Sequence, residues 1–560
     1  MSLLQIENLS WKYEGSTELA LDKINLEINK GEFMTIMGRT GAGKSTLCKC
    51  INSLIPRRSR GAIKGTVKIA GLDTKKSNFY EITDKVGIVF QDPETQFVMM
   101  TVEDEIALGL ENKGFSPEDI RVKIIEVMKR IGLDTEYMQK TPTELSGGEK
   151  QKVAIAMMLA LDPELILLDE PTSDLDPVGK TMIFEVIEKL RKKRDTTIIL
   201  VSHESERIAK FSDKIVILDK GKIVLQGNTK EIFEKIRVLK QHGVRPPQIS
   251  EIFYELGYKR IPLTLEDGLV QIKKYYGEMK YKIPKLEEVK KIFKEPIIEV
   301  ENLSYIYPDG TKALRGIELK INDGDFVAII GPNGSGKTTL VKHFNGLLKS
   351  TEGKVTVSKY DASKTSLNEL AKHIGYCFQN PDHQLFCTTV NEEIAFGLKN
   401  LRLPANEIEE RVKKVLKIVG LEEYKDMHPF FLGKGLRQRL AVAAVLAMES
   451  EIIVVDEPTT GQDYEMCKEI MILLDKLNKM GKTIIIITHD MKLVSKYCKR
   501  AIVMVEGKVI ADDDPKNIFS DSDIMKSAQI EPPQIVKFSL LLSPSTTLAL
   551  TVQEMKNILA

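Results

Sequence analysis

The spacing of apolar residues predicts strands and helices in alternation along the first half of the chain. Residues 3–28 alternate apolar and polar side chains around a turn near Gly15, which predicts short strands of an antiparallel sheet. Further on, short continuous apolar runs predict buried strands, and longer amphipathic runs predict helices. The predicted strands are 33–37, 65–69, 86–90, 165–168 and 197–201, and the predicted helical segments are 45–54, 102–131 and one that opens near Ser146.

Polar residues stand directly after three of these predicted strands. Gln91 follows the strand 86–90, Asp169-Glu170-Pro171 follows 165–168, and Ser202-His203 follows 197–201. Strands that alternate with helices and end in polar groups indicate an α/β domain. Its functional site is expected at the carboxyl edge of a mostly parallel sheet.

The loop between the strand 33–37 and the helix 45–54 fits the phosphate-binding pattern G-x-x-x-x-G-K-[ST]. It reads Gly38-Arg39-Thr40-Gly41-Ala42-Gly43-Lys44-Ser45. Its glycines let backbone N–H groups converge, and the helix N-terminus favours an anion there. Lys44 would reach the β- and γ-phosphates, and the Ser45 hydroxyl would hold Mg²⁺. A glycine-rich turn that binds nothing is the alternative, which the register of strand, loop, Lys and Ser disfavours.

The same pattern occurs a second time, so the chain is predicted to carry the same domain twice. Lys337 follows Lys44 by 293 positions, and the second copy reads Gly331-Pro332-Asn333-Gly334-Ser335-Gly336-Lys337-Thr338. The spacing shrinks to 286 positions between the matching residues His203 and His489, and we expect most of the missing residues after Gly353. The other matched pairs are Gln91 with Gln379, Asp169 with Asp456, and Glu170 with Glu457.

The repeat extends beyond the predicted core of each half. Pro-Pro-Gln-Ile occurs at 246–249 and again at 532–535, so each half is predicted to end in a small C-terminal appendage. We expect a first domain, its appendage with a linker, a second domain and a second appendage. The predicted boundaries are 1–228, 229–294, 295–520 and 521–560.

Composition limits the classes of partner. The 560 residues include 81 basic and 80 acidic side chains, so the net charge of +1 recruits neither nucleic acid nor anionic lipid. The six scattered cysteines are expected to be reduced thiols in a cytosolic compartment, neither disulfides nor metal ligands. No apolar run approaches the roughly 20 residues of a membrane span. If the protein works at a membrane, we expect another chain to provide the span.

The motif set resembles that of ATP-binding cassette (ABC) ATPases over nearly the whole chain. In order, the motifs are Tyr13, the phosphate loop, Gln91, Leu-Ser-Gly-Gly-Glu at 145–149, Asp169-Glu170, Ser-Asp-Leu-Asp at 173–176, and His203. The runs 90–97 and 378–385, together with Pro-Pro-Gln-Ile, are similar to the ATPases of energy-coupling factor (ECF) importers. Such importers take up vitamins and metal ions such as cobalt and nickel. The sequence does not indicate which cargo this chain would serve.

This resemblance implies a fold and a nucleotide site. The implied fold is α/β, with two tandem P-loop NTPase domains of the ABC cassette type. Each would have a RecA-like core, an antiparallel β subdomain, a helical subdomain and a C-terminal appendage. The implied cofactors are ATP and Mg²⁺. Tyr13 and Tyr307 would stack on adenine, unless they are simply core tyrosines. The remaining ATP-binding residues would be the two phosphate loops with Thr46 and Thr339.

The resemblance also implies catalytic and metal-binding residues. Asp169 and Asp456 would bind Mg²⁺ through its water shell, helped by Ser45, Thr338, Gln91 and Gln379. Glu170 and Glu457 would orient or deprotonate the attacking water, unless they are ordinary surface residues. His203 and His489 would contact the γ-phosphate, unless they only cap strands. Gln91 and Gln379 would touch either Mg²⁺ or the lytic water, and would also report to a membrane partner.

The Leu-Ser-Gly-Gly-Glu motif implies that the two halves pair, because its helix would cover a nucleotide held by the other half. Ser146, Gly147 and Gly148 would cover the nucleotide on Lys337. The second copy is degenerate, with Gly433, Lys434 and Gly435 at the matching positions, and would cover the nucleotide on Lys44. Asp176 and Asp463 would form the D-loops. We therefore expect faster ATP turnover at the site on Lys337. We expect the site on Lys44 to stay active, because Lys434 would partly replace the lost serine hydroxyl.

The resulting hypothesis is an ATP-hydrolysing importer motor at the cytoplasmic face of the cell membrane. Its partners would be ECF-type transmembrane and substrate-capture proteins, and no nucleic acid. The alternative is a soluble twin-cassette protein acting on ribosomes or nucleic acid, which the near-zero charge and the lack of a long basic arm disfavour. The spacing from Gly38 to Ser146 leaves no room for the coiled coil of a DNA-repair ATPase. The Pro-Pro-Gln-Ile appendage disfavours an exporter.

Overall fold

The computed structural model describes residues 2–173, 175–192, 196–276, 295–458, 464–542 and 548–559. It divides into two compact units, Met1–Gly277 and Glu278–Ala560. Apart from one short helix, α2 (Leu54–Arg57), the two units repeat the same order of described elements.

The first unit contains ten described strands and twelve described α-helices. The strands are β1 (Ser2–Tyr13), β2 (Leu21–Asn29), β3 (Phe33–Gly38), β4 (Gly61–Ile69), β5 (Leu72–Asp73), β6 (Val86–Val89), β7 (Leu165–Asp169), β8 (Thr197–Val201), β9 (Lys214–Asp219) and β10 (Lys222–Asn228). The helices are α1 (Lys44–Ile51), α2 (Leu54–Arg57), α3 (Phe79–Lys85), α4 (Val102–Asn112), α5 (Pro117–Ile131), α6 (Gly147–Ala160), α7 (Pro177–Lys192), α8 (Ser205–Phe211), α9 (Thr229–Phe233), α10 (Ile236–Gln241), α11 (Gln248–Glu255) and α12 (Leu265–Tyr276).

A six-stranded sheet forms the centre of the first unit, in the order β10-β9-β3-β8-β7-β6. Its strands run parallel except for the β9–β10 hairpin, so the predicted mostly parallel sheet is confirmed. β3, β7 and β8 are buried along their whole length, because apolar layers cover both faces. Ile166 and Leu168 pack toward the helices α4–α7, whereas Leu165 and Leu167 pack toward the smaller sheet and α1.

The smaller sheet is antiparallel, in the order β2-β1-β4-β5, as the alternating pattern at 3–28 predicts. Buried residues such as Ile24 and Ile28 alternate with exposed ones along β2, because only one face meets the core.

A helical region consists mainly of α4, α5 and α6. The helical pattern predicted over 102–131 is two helices, because Gly114 adopts φ +76° and Ser116 with Pro117 starts a new helix. Gly132 ends α5 in the left-handed conformation. The three helices share one apolar core with the neighbouring face of the central sheet.

The second unit contains ten described strands and eleven described α-helices. The strands are β11 (Pro296–Ile306), β12 (Lys312–Asn322), β13 (Phe326–Ile330), β14 (Glu352–Val357), β15 (Tyr360–Asp361), β16 (Ile374–Cys377), β17 (Ile452–Asp456), β18 (Thr483–Ile487), β19 (Arg500–Val505) and β20 (Lys508–Asp513). The helices are α13 (Lys337–Phe344), α14 (Leu367–His373), α15 (Val390–Asn400), α16 (Ala405–Val419), α17 (Lys434–Ala447), α18 (Tyr464–Lys479), α19 (Met491–Tyr497), α20 (Pro515–Ser520), α21 (Ser522–Ser527), α22 (Gln534–Leu542) and α23 (Val552–Leu559).

The sheets of the second unit repeat the topology of the first, in the orders β12-β11-β14-β15 and β16-β17-β18-β13-β19-β20. The expectation that its missing residues lie mostly after Gly353 is wrong. Gly353 and Gly65 are structural counterparts, each with a positive φ and each close to an asparagine carbonyl on the neighbouring strand. They are 288 positions apart, so most of the shortening comes before Gly353, where α2 has no counterpart among the described elements.

In the first unit, three short helices, α10, α11 and α12, follow β10 and α9. Lys240 on α10 forms an ion pair of 2.6 Å with Glu251 on α11. His242 lies 2.8 Å from Asp219 at the end of β9, which fixes this region to the central sheet. Both Pro-Pro-Gln-Ile runs lead into helices, α11 and α22.

None of the helices in the described parts of the chain combines the length and the apolar character needed to cross a lipid bilayer.

Candidate functional site

The two phosphate loops have the backbone geometry that the motif requires. Gly38 has φ +146°, and a Cβ there would lie 2.0 Å from the carbonyl oxygen of Leu218. Gly43 has φ +100°, and a Cβ there would lie 2.5 Å from the carbonyl oxygen of Ala20. Only glycine fits such positions. Gly331 and Gly336 are held in the same way in the second unit, with φ +145° and +96°.

The lysine of each loop is buried and bonded to its own loop. Nζ of Lys44 donates to the carbonyls of Gly38 and Arg39, both at 3.0 Å, and lies 3.3 Å from Oε1 of Glu170. Nζ of Lys337 donates to the loop carbonyls of Gly331 and Pro332 at 2.9 and 2.8 Å. The cation therefore lies at the centre of the loop, where a phosphate group would bind.

The aspartates Asp169 and Asp456 end the buried strands β7 and β17, beside the loops. Ser45 bonds to the Asp169 carboxylate, and Oδ1 of Asp169 is buried with no hydrogen-bond partner among the described residues. Asp456 accepts from Oγ1 of Thr338 at 2.9 Å. Burial raises the pKa of both carboxyls. A buried carboxylate oxygen without a donor, next to a loop hydroxyl, fits the water shell of Mg²⁺.

The glutamates Glu170 and Glu457 follow these aspartates in strained backbone conformations, with φ +51° and +47°. Such conformations for a non-glycine residue cluster at functional sites. The N–H of Glu170 donates to the carbonyl of Val201 at 3.0 Å, and the N–H of Glu457 donates to the carbonyl of Ile487 at 2.9 Å. Each of these bonds continues the parallel pairing of the sheet by one residue.

A histidine lies within hydrogen-bond distance of each glutamate. Nε2 of His203 is 3.1 Å from Oε1 of Glu170, and Nε2 of His489 is 3.0 Å from Oε1 of Glu457. Burial alone would raise the pKa of Glu170. The hydrogen bond from His203 and the charges of His203 and Lys44 outweigh it and lower that pKa to about 2. Glu170 is therefore ionised at neutral pH.

The two tyrosines border the helices that follow the loops. The hydroxyl of Tyr13 is 3.1 Å from Oγ1 of Thr46, and the hydroxyl of Tyr307 is 3.0 Å from Oγ1 of Thr339. Both tyrosines are half-buried, so neither is enclosed in the core. Adenine stacking stays a prediction.

The predicted glutamines stand at the ends of β6 and β16. Gln91 is half-buried and Gln379 is exposed. The structure thus brings lysine, aspartate, glutamate and histidine together at the carboxyl edge of each central sheet, with the glutamine after a neighbouring strand.

The helix that carries the signature motif differs between the units. Ser146 caps α6: its hydroxyl accepts from the N–H of Glu149 and donates to that carboxylate at 2.7 Å. Gly433 makes no side-chain cap at α17, and Leu436 takes the place of Glu149.

The segments next to the signature motif pack closely in the first unit. A Cβ on Gly148 would lie 3.3 Å from Cα of Gly179. Asp176 accepts from the N–H of Gly179 at 2.8 Å, so it caps the first turn of α7. The predicted D-loop residue Asp463 lies outside the described residues.

Three contacting groups were missed by the sequence analysis. The Tyr376 hydroxyl bonds to Asp456, the Arg39 side chain bonds to the carbonyl of Gln241, and the Glu105 carboxylate accepts from the N–H groups of Val98 and Met99. A comparison of matching positions reveals one signal, since Ile88 stands where the second half has Tyr376.

Comparisons with known proteins support a single family. The family model described as ABC transporter matches residues 21–173 and 314–460. A "Putative ABC transporter ATP-binding protein" of Caldanaerobacter subterraneus subsp. tengcongensis is 40% identical and covers 98% of this chain and 97% of its own length. A protein of the same description from Methanosarcina acetivorans is 37% identical over 99% of this chain and 93% of its own.

One solved structure, cbiO1 from Clostridium perfringens, is described as part of the ABC transporter complex cbiONQ. It is 41% identical over 43% of this chain and 98% of its own, with a TM-score of 0.39. The family match covers more than half of this chain, and the curated relatives align along nearly all of it. The chain therefore belongs to the ABC transporter ATP-binding family, and its two cassettes are ATPases.

Proposed function

We propose that this chain is the ATP-hydrolysing motor subunit of an ECF-like importer. It would couple ATP binding and hydrolysis at two sites to uptake by membrane subunits. The observation that carries the proposal is the segment after each glutamine, which has the ECF-like sequence and the same local structure in both units. We call these segments, 92–100 and 380–388, the docking segments.

Each docking segment is ordered internally by a helix cap and is fixed to the rest of its unit by two kinds of contact, an ion pair and a buried carboxylate. A short 3₁₀ turn, Pro93–Gln96 or Pro381–His383, is capped by the side chain of Asp92 or Asn380. An ion pair joins the turn to the signature helix, Glu94 to Lys150 at 2.5 Å and Asp382 to Arg437 at 2.6 Å. The docking segments are thus linked directly to the helix that would cover a nucleotide.

A buried carboxylate holds the far end of each docking segment. Glu105 accepts from the N–H groups of Val98 and Met99, both at 2.6 Å, and Glu393 accepts from those of Phe386 and Cys387 at 2.9 and 2.8 Å. With the backbone fixed in this way, apolar side chains remain outside. Val98 is 71% exposed, Met100 77% and Phe386 62%. Apolar side chains on a rigid exposed segment suit a contact with another protein.

For the ATPase reaction, we assign roles to the residues at the sheet edge. The phosphate loops and the two lysines bind the phosphates, and Tyr13 and Tyr307 support the adenine. Asp169 and Asp456, with Ser45 and Thr338, would hold Mg²⁺, which neutralises developing phosphate charge when bound. Glu170 and Glu457 orient the attacking water, because each carboxylate is already aligned by a histidine. A phosphate at Lys44 would compete with Glu170 for the lysine and so release the carboxylate.

We further propose that the two units pair face to face. Ser146, Gly147 and Gly148 would complete the site on Lys337, and Gly433, Lys434 and Gly435 the site on Lys44. The position of Ser146, Gly147 and Gly148 at the start of α6 supports this role, because the first N–H groups of a helix have no carbonyl partner within the helix and favour an anion. The proposed domain limits remain 1–228, 229–294, 295–520 and 521–560, with the chain held peripherally at the cytoplasmic face of the membrane.

The experiment isolates the tagged full chain from membranes and identifies the proteins that copurify. We expect an integral membrane subunit. The double substitution Met100→Asp and Phe386→Asp should abolish that capture and keep ATP hydrolysis by the purified chain. Val270→Asp is the matched control, because Val270 is 69% exposed on α12 and lies outside the docking segments. Copurification with ribosomes, or full capture of the double variant, would contradict the proposal.

A further inference from the structure

The two central sheets differ at one position beside the strand-end aspartate. Tyr376 on β16 pairs with Val454 on β17, and Ile88 on β6 pairs with Leu167 on β7. Each paired residue stands two positions before the aspartate, so the two side chains occupy the same place in the sheet. One of them carries a hydroxyl group and the other does not.

The Tyr376 hydroxyl reaches the carboxylate of Asp456. It donates a hydrogen bond of 2.8 Å to Oδ2, the same oxygen that accepts from Thr338 at 2.9 Å. The tyrosine ring packs edge-on against Phe378, with centroids 4.9 Å apart and planes at 82°. Asp456 is only 4% exposed, so this contact forms in a largely water-free place, where a hydrogen bond to a charge is strong.

The first unit lacks this arrangement. Ile88 has no donor to offer; Ser45 bonds to the Asp169 carboxylate, and Oδ1 of Asp169 has no partner in the described part of the chain. Two side-chain donors therefore bond to Oδ2 of Asp456 and fix the orientation of this carboxylate. Its other oxygen, Oδ1, takes part in neither of these bonds. The Asp169 carboxylate lacks the restraint that the tyrosine hydroxyl provides.

We propose that Tyr376 is a positioning residue for the divalent ion of the second unit. Its hydroxyl would hold Asp456 in the orientation that suits the water shell of Mg²⁺, so that the two ATP sites differ in metal affinity. Mg²⁺ requires near-ideal octahedral geometry, and partners that orient a ligand typically change metal affinity by about 10- to 100-fold. The inference rests on the proposed Mg²⁺ sites.

Mn²⁺ binding to the full-length chain tests this, followed by electron paramagnetic resonance in the presence of a non-hydrolysable ATP analogue. A Lys44→Ala background reports the second unit's site, and a Lys337→Ala background reports the first. Tyr376→Phe keeps the ring and removes only the hydroxyl. We expect about tenfold weaker Mn²⁺ binding in the Lys44→Ala background and no change in the Lys337→Ala background. Affinity for the analogue in EDTA should stay the same, which a general loss of structure would not allow.

The possible outcomes distinguish a failure of the proposed Mg²⁺ sites from a failure of the proposed role of Tyr376. If the parent chain binds no Mn²⁺ with the analogue, the proposed metal sites themselves are wrong. If the parent binds Mn²⁺ and Tyr376→Phe binds it equally well in the Lys44→Ala background, only the role of Tyr376 is overturned. Equal weakening in both backgrounds would also overturn it, because Tyr376 would then act through the whole fold.

Discussion

The guanidinium group of Arg39 donates a hydrogen bond of 2.7 Å to the carbonyl oxygen of Gln241, 202 residues further along the chain. It joins the phosphate loop of the first unit to the end of α10. Gly243 makes room for the arginine, since a Cβ there would lie 2.6 Å from Cγ of Arg39. In the second unit, Pro332 stands at the position that matches Arg39, and its side chain has no hydrogen-bond donor. The appendage of the first unit is therefore anchored to its nucleotide loop through a side chain that the second loop lacks.

Arg39→Ala should loosen α10 without unfolding the unit. A hydrogen bond from a charged donor at an exposed site contributes about 1 kcal/mol, so amide protection around 236–244 should fall about fivefold. Hydrogen exchange followed by mass spectrometry measures this directly. Pro332→Ala is the matched control and should leave the exchange of 236–244 unchanged. Unaltered protection in Arg39→Ala would show that the contact does not hold the appendage.

Local patterns in the sequence were enough to predict the strands that lead into the site, the phosphate loops and the acidic residues at the strand ends, whereas β5, β9 and β10 were not predicted. These features depend on periodicity and on glycine positions, both of which are local. The contacts of Tyr376 with Asp456 and of Arg39 with Gln241 depend on strand register and on packing between distant segments. The sequence analysis also missed the helix break at Gly114 and placed the shortening of the second half on the wrong side of Gly353. Both errors arise because apolar spacing alone does not reveal where a helix restarts or where a short helix is absent.

Glu457→Gln should reduce ATP hydrolysis more than Glu170→Gln does. Each substitution should slow its own site about 100-fold or more, because the glutamine cannot act as a base. The site on Lys337 is proposed to be covered by the intact Ser146 motif and to turn over faster, so its loss removes the larger share. Steady-state phosphate release by the purified chain measures both rates. Equal residual rates in the two variants would refute this asymmetry.

Asp169→Asn should stabilise the protein at pH 7. Burial raises the folded pKa of Asp169, so the ionised side chain costs stability as pH rises above the unfolded value, and asparagine removes that cost. The gain in melting temperature, measured in EDTA, should shrink as the pH falls toward and below the unfolded value of 3.8, where the carboxyl becomes protonated in both states. The exposed Glu118→Gln serves as a control with little expected change. A gain independent of pH would contradict the electrostatic explanation.

Glu170→Gln should have the opposite effect at pH 7. The folded pKa of Glu170 is lowered from 4.5 to about 2, so its charge stabilises the fold above pH 4.5 and that contribution is lost as pH falls toward 2. The shift corresponds to about 3 kcal/mol, and the variant should melt at a lower temperature at pH 7. The difference from the parent should narrow as the pH is lowered below 4.5. A variant as stable as the parent at pH 7 would show that His203 and Lys44 do not stabilise this carboxylate.

The cap of the signature helix can be exchanged between the units. Ser146→Gly removes the hydroxyl that bonds to Glu149, and Gly433→Ser restores a hydroxyl at the matching position. Loss of a serine cap to glycine costs only a few tenths of a kcal/mol, so Ser146→Gly should leave the melting temperature nearly unchanged. Its ATPase rate should still fall several-fold, because the hydroxyl no longer helps to complete the proposed site on Lys337. Gly433→Ser should raise the ATPase rate at the weaker site, most visibly in a Glu457→Gln background.

If Ser146→Gly keeps the full ATPase rate and Gly433→Ser does not raise it, the hydroxyl acts only as a helix cap. The difference in rate between the two sites must then have another origin.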